Sequence, residues 1–91
     1  MSSELSALLA TLEGTSPSAL TSCPGWTAHH LAAHIAGNYE EVRRHVDAFS
    51  EGRPLVRTRT WDEREASLRA LDYGILVRRI EREGEATSLA V

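Results

Sequence analysis

The stretch from Thr27 to Ser50 holds no proline and a single glycine, and chain breakers stand on both sides of it. Pro24-Gly25 precedes it, and Gly52 followed by Pro54 comes after, the order in which helices are opened and closed. Within it Leu31, Ile35, Val42, Val46 and Phe49 recur at helical spacing, with Ala32, Ala36 and Tyr39 alongside. Thr27 is a good N-cap. The pattern predicts one long amphipathic helix with those large residues as its buried stripe and Glu40, Glu41, Arg43 and Arg44 toward solvent.

The flanking segments carry the same period. Leu5, Leu8, Leu9 and Leu12 fall at i, i+3, i+4 and i+7, predicting a first helix over Ser3 to Glu13 that Gly14 ends. Thr15 to Ser18 reads as a loop, and Ala19 to Ser22 is ambiguous. Residues 53–60 read as extended or irregular. Thr60 and Glu63 have capping-box spacing and open a third stretch, in which Leu68, Leu71, Ile75, Leu76 and Ile80 continue the helical period. Asp72-Tyr73-Gly74 is a place where that stretch can split. The run from Arg78 to Glu83 reads as a solvated face. The helical domain is expected over 1–84, with 85–91 a frayed tail lacking periodicity. With no strand alternation and no repeat, the class is all-α.

Composition narrows the function. Ten basic residues against 13 acidic ones give a net charge of −3 over 91 residues, so the chain has no general pull toward phosphate backbones or anionic lipid. Arg53, Arg57 and Arg59 cluster between helices, as a solvated loop or a contact for a ligand carboxylate. Neither nucleic acid nor a membrane is expected as a partner. All ten basic residues are arginine, which excludes Schiff-base and P-loop lysine chemistry. No apolar run approaches the roughly 20 residues of a membrane span. The acidic Met-Ser-Ser-Glu start is unlike a secretory signal, and the lone Cys23 suits a reducing cytoplasm.

The histidines carry the chemical signal. His29, His30 and His34 lie in the first two turns of the long helix, where the positive end of the helix dipole favours neutral imidazole at His29 and His30. His30 and His34 are i, i+4 neighbours, so both rings can approach one ion, although two ligands alone do not close a zinc site. Ordinary surface or hydrogen-bonded histidines are the alternative. His45 lies roughly 16 Å further along the same helix and is too distant to share that ion. Cys23 reads as a third ligand, an activated nucleophile, or a small buried turn residue.

The segment from Cys23 to Gly37 resembles the N-terminal signature of the mycothiol-dependent maleylpyruvate isomerase family, in Pro24-Gly25-Trp26, the helix start at Thr27, and His34-Ile35-Ala36-Gly37. Arg59-Thr60-Trp61-Asp62-Glu63-Arg64-Glu65 and the leucine-rich first helix are similar to the family as well, extending the resemblance to about residue 83. It implies an up-down helical bundle of the DinB-like four-helix type, here represented by its first three helical segments. It also implies a divalent metal, usually zinc, with His34 as a ligand and His30 as a possible neighbour. Enzymatic members hold the ion with a further Glu-x-x-x-His on a late helix. They use it to activate the thiol of mycothiol, which adds to an unsaturated dicarboxylate and permits cis–trans isomerisation, so Cys23 is not required.

This chain departs from that pattern. Its one Glu-x-x-x-His, Glu41 to His45, lies on the same helix as His34, and residues 60–91 contain no histidine. The expectation is a truncated metal-binding domain that is not catalytic alone, its bundle completed by a missing C-terminal segment or by a homodimer. A non-catalytic dimerisation or partner-binding module is the alternative.

Overall fold

A computed structural model of the protein describes residues 3–21, 25–54 and 57–90, with side chains as far as residue 87. Four helices follow in order: α1 (Ser3–Glu13), α2 (Ala28–Ser50), α3 (Trp61–Arg69) and α4 (Tyr73–Ala90). Among the described residues there is no strand, only an isolated antiparallel bridge between Leu20 and Thr27. None of the helices searched is long and apolar enough to cross a membrane. α2 packs against α3 and α4, and α1 lies on α4.

The leucines of α1 behave as their spacing predicts. Leu5, Leu9 and Leu12 are buried, and Leu8 packs against the same core. On α2 the expectation holds only in part: Ala32 and Ala36 are buried and Ile35 and Tyr39 pack against the core, but the rest of the large-residue stripe is not covered. The face that meets the bundle is made of Ala28, Ala32, Ala33, Ala36 and Gly37, while Val42 is 48% and Phe49 81% exposed. The reason is volume: α3 and α4 supply Leu68, Leu76 and Ile80, and bulky side chains interdigitate best with a small-residue face that lets helix axes approach. A helix with two apolar faces presents its small one to large neighbours.

The expected third stretch is two helices, giving four in all. α3 stops at Arg69, Leu71 N–H returns to Leu68 O at 3.0 Å, and Leu76 N–H reaches Asp72 O at 3.1 Å as α4 begins. That reset turns Leu76, Val77 and Ile80 inward and leaves Ile75 exposed. α4 then runs through Gly84 to Ala90, where a frayed tail was expected from residue 85. Gly84 is a contact point rather than a stop: a Cβ there would lie 2.9 Å from Leu5 Cδ2. The charge run is also less solvated than its composition suggests. Glu83 is buried against Arg43 at 2.9 Å, and Arg79 reaches Glu40 at 2.9 Å.

Both ends of α2 are closed by local chemistry. Thr27 accepts from His30 N–H at 3.3 Å, while Ala28 and His29 N–H donate to the loop carbonyls of Ala19 and Pro17. The donors that a helix start leaves orphaned are thus satisfied, and the loop after α1 is fastened to the beginning of α2. At the far end Gly52 has φ +68°, its N–H reaches Phe49 O, and Arg53 N–H reaches Ala48 O. This is a Schellman closure, which needs the left-handed residue that glycine supplies.

Candidate functional site

His34 lies one turn beyond the capped start of α2, between two indoles. Its ring centroid is 5.1 Å from that of Trp26 and 5.0 Å from that of Trp61, each edge-on, and the two indoles stand 6.2 Å apart. Trp26 follows the turn at Gly25 and Trp61 is the first residue of α3, whose start is set by a complete Thr60–Glu63 capping box. The capping signal read from the sequence therefore places one wall of the site.

A chain of hydrogen bonds passes through the imidazole. Arg64 Nη1 donates to Asn38 Oδ1 at 3.1 Å, Asn38 Nδ2 meets His34 Nε2 at 3.3 Å, and His34 Nδ1 meets Glu65 Oε2 at 2.7 Å. A guanidinium has only donors, so the amide oxygen of Asn38 must face it and the amide NH2 must face His34. Nε2 then accepts and carries the lone pair, and Nδ1–H donates to the carboxylate. A carboxylate accepting from the distal nitrogen of a histidine is the arrangement that orients metal-ligating imidazoles. Glu65 is only 2% exposed, and its other oxygen lies 3.6 Å from Arg69 Nη2.

Gly37 makes this approach possible. A Cβ at that position would sit 3.0 Å from Glu65 Cγ and 3.6 Å from Leu68 Cδ1, so the single glycine of α2 gives α3 room to pack. Glu65, Asn38, Arg64 and the packing role of Gly37 are what reasoning from histidine spacing missed. The signal available for Glu65 was its place three residues before Leu68, on the buried side of α3.

The other candidates are placed differently. His30 is exposed and lines a shallow pocket of about 240 Å³ with Gly25, Trp26, Glu65 and Arg69. It thus shares Glu65 as a neighbour with His34. His29 Nε2–H donates to Leu71 O at 2.7 Å and tethers the α3–α4 connection. His45 Nε2 lies 3.1 Å from Thr58 Oγ1 and 3.7 Å from Glu41 Oε1, further along α2. Cys23, with each reading made for it, lies outside the described residues.

A second buried carboxylate, this one on α2 itself, is Glu41, which the sequence placed toward solvent. It is 3% exposed, with Arg44 Nη1 at 2.8 Å, Arg59 Nε at 2.8 Å and Arg59 N–H at 3.2 Å. Burial pushes its carboxyl up, but the Arg59 side-chain and backbone bonds and the Arg44 bond together outweigh this and hold it below its ordinary value. Arg57 forks onto Glu63 at 2.6 and 3.1 Å, and Arg53 meets Glu51 at 2.6 Å. Of the Arg53, Arg57 and Arg59 cluster, Arg59 ties the α2–α3 connection to Glu41, while Arg53 and Arg57 form exposed local pairs.

A profile of the mycothiol maleylpyruvate isomerase N-terminal domain matches residues 1–90. The chain belongs to this family. Its all-α, DinB-like helical architecture agrees with the four helices described above. No curated protein and no solved structure matches the chain. Membership makes a metal and mycothiol the groups to test against the side chains. Among the described residues no group of three or more His, Cys, Asp and Glu side chains converges as a metal site. These residues therefore do not by themselves form a closed metal centre. They hold one imidazole with its Nδ1–H on Glu65 and its Nε2 toward Asn38.

Proposed function

We propose that this domain contributes His34, with His30 beside it, to a divalent-metal centre of the mycothiol-dependent isomerase type, zinc being the metal. Catalysis requires ligands from outside these described residues. The observation that supports the reading is the Arg64–Asn38–His34–Glu65 chain, which orients the ring and leaves its lone pair on Nε2. Bound zinc would lower the pKa of a coordinated thiol such as that of mycothiol. In this chain, Glu65 would hold the ring and its tautomer, Trp26 and Trp61 would restrict water around it, and Asn38 would yield Nε2 to the ion. Cytoplasmic residence, where a free thiol cofactor stays reduced, belongs to the same proposal.

The test is the zinc content of purified protein by mass spectrometry, wild type beside His34→Ala and His30→Ala. Zinc retained by the wild type, lost from His34→Ala and reduced in His30→Ala is the expected pattern. Equal zinc in wild type and His34→Ala would remove the assignment. A second reading, a non-catalytic helical partner-binding module, is favoured by the large apolar side chains that α2 leaves uncovered. It would lead if no variant changed the metal content.

A further inference from the structure

Among the described residues, every arginine except Arg64 and Arg78 lies within ion-pair distance of an aspartate or glutamate. Arg78 is exposed on α4 and shares a cleft with Glu13 and Glu81. Arg64 is half-buried and meets only neutral acceptors: Nε donates to Thr60 O at 3.4 Å and Nη1 to Asn38 Oδ1 at 3.1 Å. Its Nη2 has no acceptor among the described residues. A guanidinium is always charged and carries five donors, so pinning one edge leaves the other edge ready for an oxyanion from outside the chain.

The surroundings narrow the oxyanion. Trp61 opens α3 and Arg64 follows three residues later, so the two are neighbours on one helix face. Trp61 is 56% exposed, which places an open aromatic surface beside the guanidinium. Asn38, which accepts from Arg64, also meets His34 Nε2 at 3.3 Å, so a single amide separates the guanidinium from the lone pair of the candidate site. The open edge offers one positive charge in a planar fork, the complement of a singly charged planar carboxylate. We infer that Arg64 is the carboxylate-binding residue of this site, taking a carboxylate borne on an apolar body that lies along Trp61. The inference rests on the proposed function for what that ligand does beside His34, while the carboxylate contact itself needs no metal.

Titration of the full chain with sodium benzoate, followed by proton–nitrogen NMR of the arginine Nε–H and tryptophan indole N–H groups, reads the contact directly. Stripping metal with EDTA beforehand separates this test from the zinc measurement, so either reading can fail alone. Chloride holds the ionic strength constant. Saturable shifts of Arg64 Nε–H and Trp61 Nε1–H are expected. Read at Trp61, affinity should fall at least about tenfold in Arg64→Gln, which loses a charge-assisted forked bond. Arg64→Lys keeps the charge and a long stem but not the fork, and should weaken binding at least about threefold. Arg78→Gln should bind as the wild type does. Shifts that do not saturate, affinity unchanged in either Arg64 variant, or a preference for inorganic phosphate over benzoate would each overturn the inference.

Discussion

Two of the buried glutamates at α2, Glu65 and Glu41, have partners that differ in kind. Glu65 of α3 meets the N-terminal half of the helix through an imidazole and Gly37, whereas Glu41 in the C-terminal half is gripped by two guanidiniums. Arginine stays charged at every working pH and has no lone pair to offer, so the Glu41 cluster is a fixed clasp. An imidazole has two unequal nitrogens, so the carboxylate at one selects what the other can do. A buried glutamate thus makes a fastening in one place and orients an imidazole in the other.

Breaking the clasp should have the largest effect on stability. Glu41→Ala leaves Arg44 and Arg59 without their shared acceptor and frees the α2–α3 connection. Both arginines retain access to water, so the loss is expected at about 2 kcal/mol rather than the larger figure for a fully enclosed pair. Urea unfolding monitored by dichroism measures it, and metal content should not follow.

Gly37→Ala attacks the other region through packing. The new methyl would force Glu65 Cγ to give way slightly while meeting Leu68 at ordinary contact distance, which should cost about 1 kcal/mol. Unlike Glu41→Ala, it should also disturb the His34 tautomer. Long-range proton–nitrogen NMR of the imidazole reads this directly: the neutral ring of the wild type is expected with its proton on Nδ1. A mixture of tautomers should appear in Gly37→Ala and in Glu65→Gln. Asn38→Ala is the gentler cut, expected to cost about 0.5–1 kcal/mol for two exposed hydrogen bonds while leaving the proton on Nδ1. Proton on Nε2 in the wild type would dissolve the contrast between the two regions.

The smallest expected effect is on pH dependence, and it belongs to the clasp side. Bonds from the Arg57 side chain, then from Thr60 N–H, hold the Glu63 carboxyl at about 2 against an ordinary 4.5. Glu41 is lowered as well. Between those values the unfolded chain binds more protons than the folded one, so stability falls as pH drops through that window. Both contributions are fully present above the unfolded value. The melting temperature should therefore decline from pH 5 to pH 3, and Glu63→Gln should flatten the decline slightly, because its pair with Arg57 is exposed.

Much of this was legible in the chain itself. The Thr27 cap, the Gly52 closure, the Thr60–Glu63 box and the leucine face of α1 each depend on residues within a few positions of one another, and all four appear where the spacing put them. The family was legible too, in Pro24-Gly25-Trp26 and His34 to Gly37. Long-range partners were not. Glu41 and Val42 are adjacent, and hydropathy sends the first outward and the second inward, yet the fold does the opposite because Arg44 and Arg59 converge on one and no neighbour covers the other. His34 was identified as the residue to watch, but Glu65 lies 31 positions away and Asn38 is meaningful only once Arg64 faces it.

The sequence alone therefore determined that the chain is helical and where its helices begin, because caps and periodicity are interactions between near neighbours. Tertiary structure decided which of the two apolar faces of α2 is buried, whether a carboxylate becomes a clasp or an orienting partner, and which nitrogen of His34 carries the lone pair. Those outcomes depend on volumes and donors brought together from distant positions, and local spacing does not encode them.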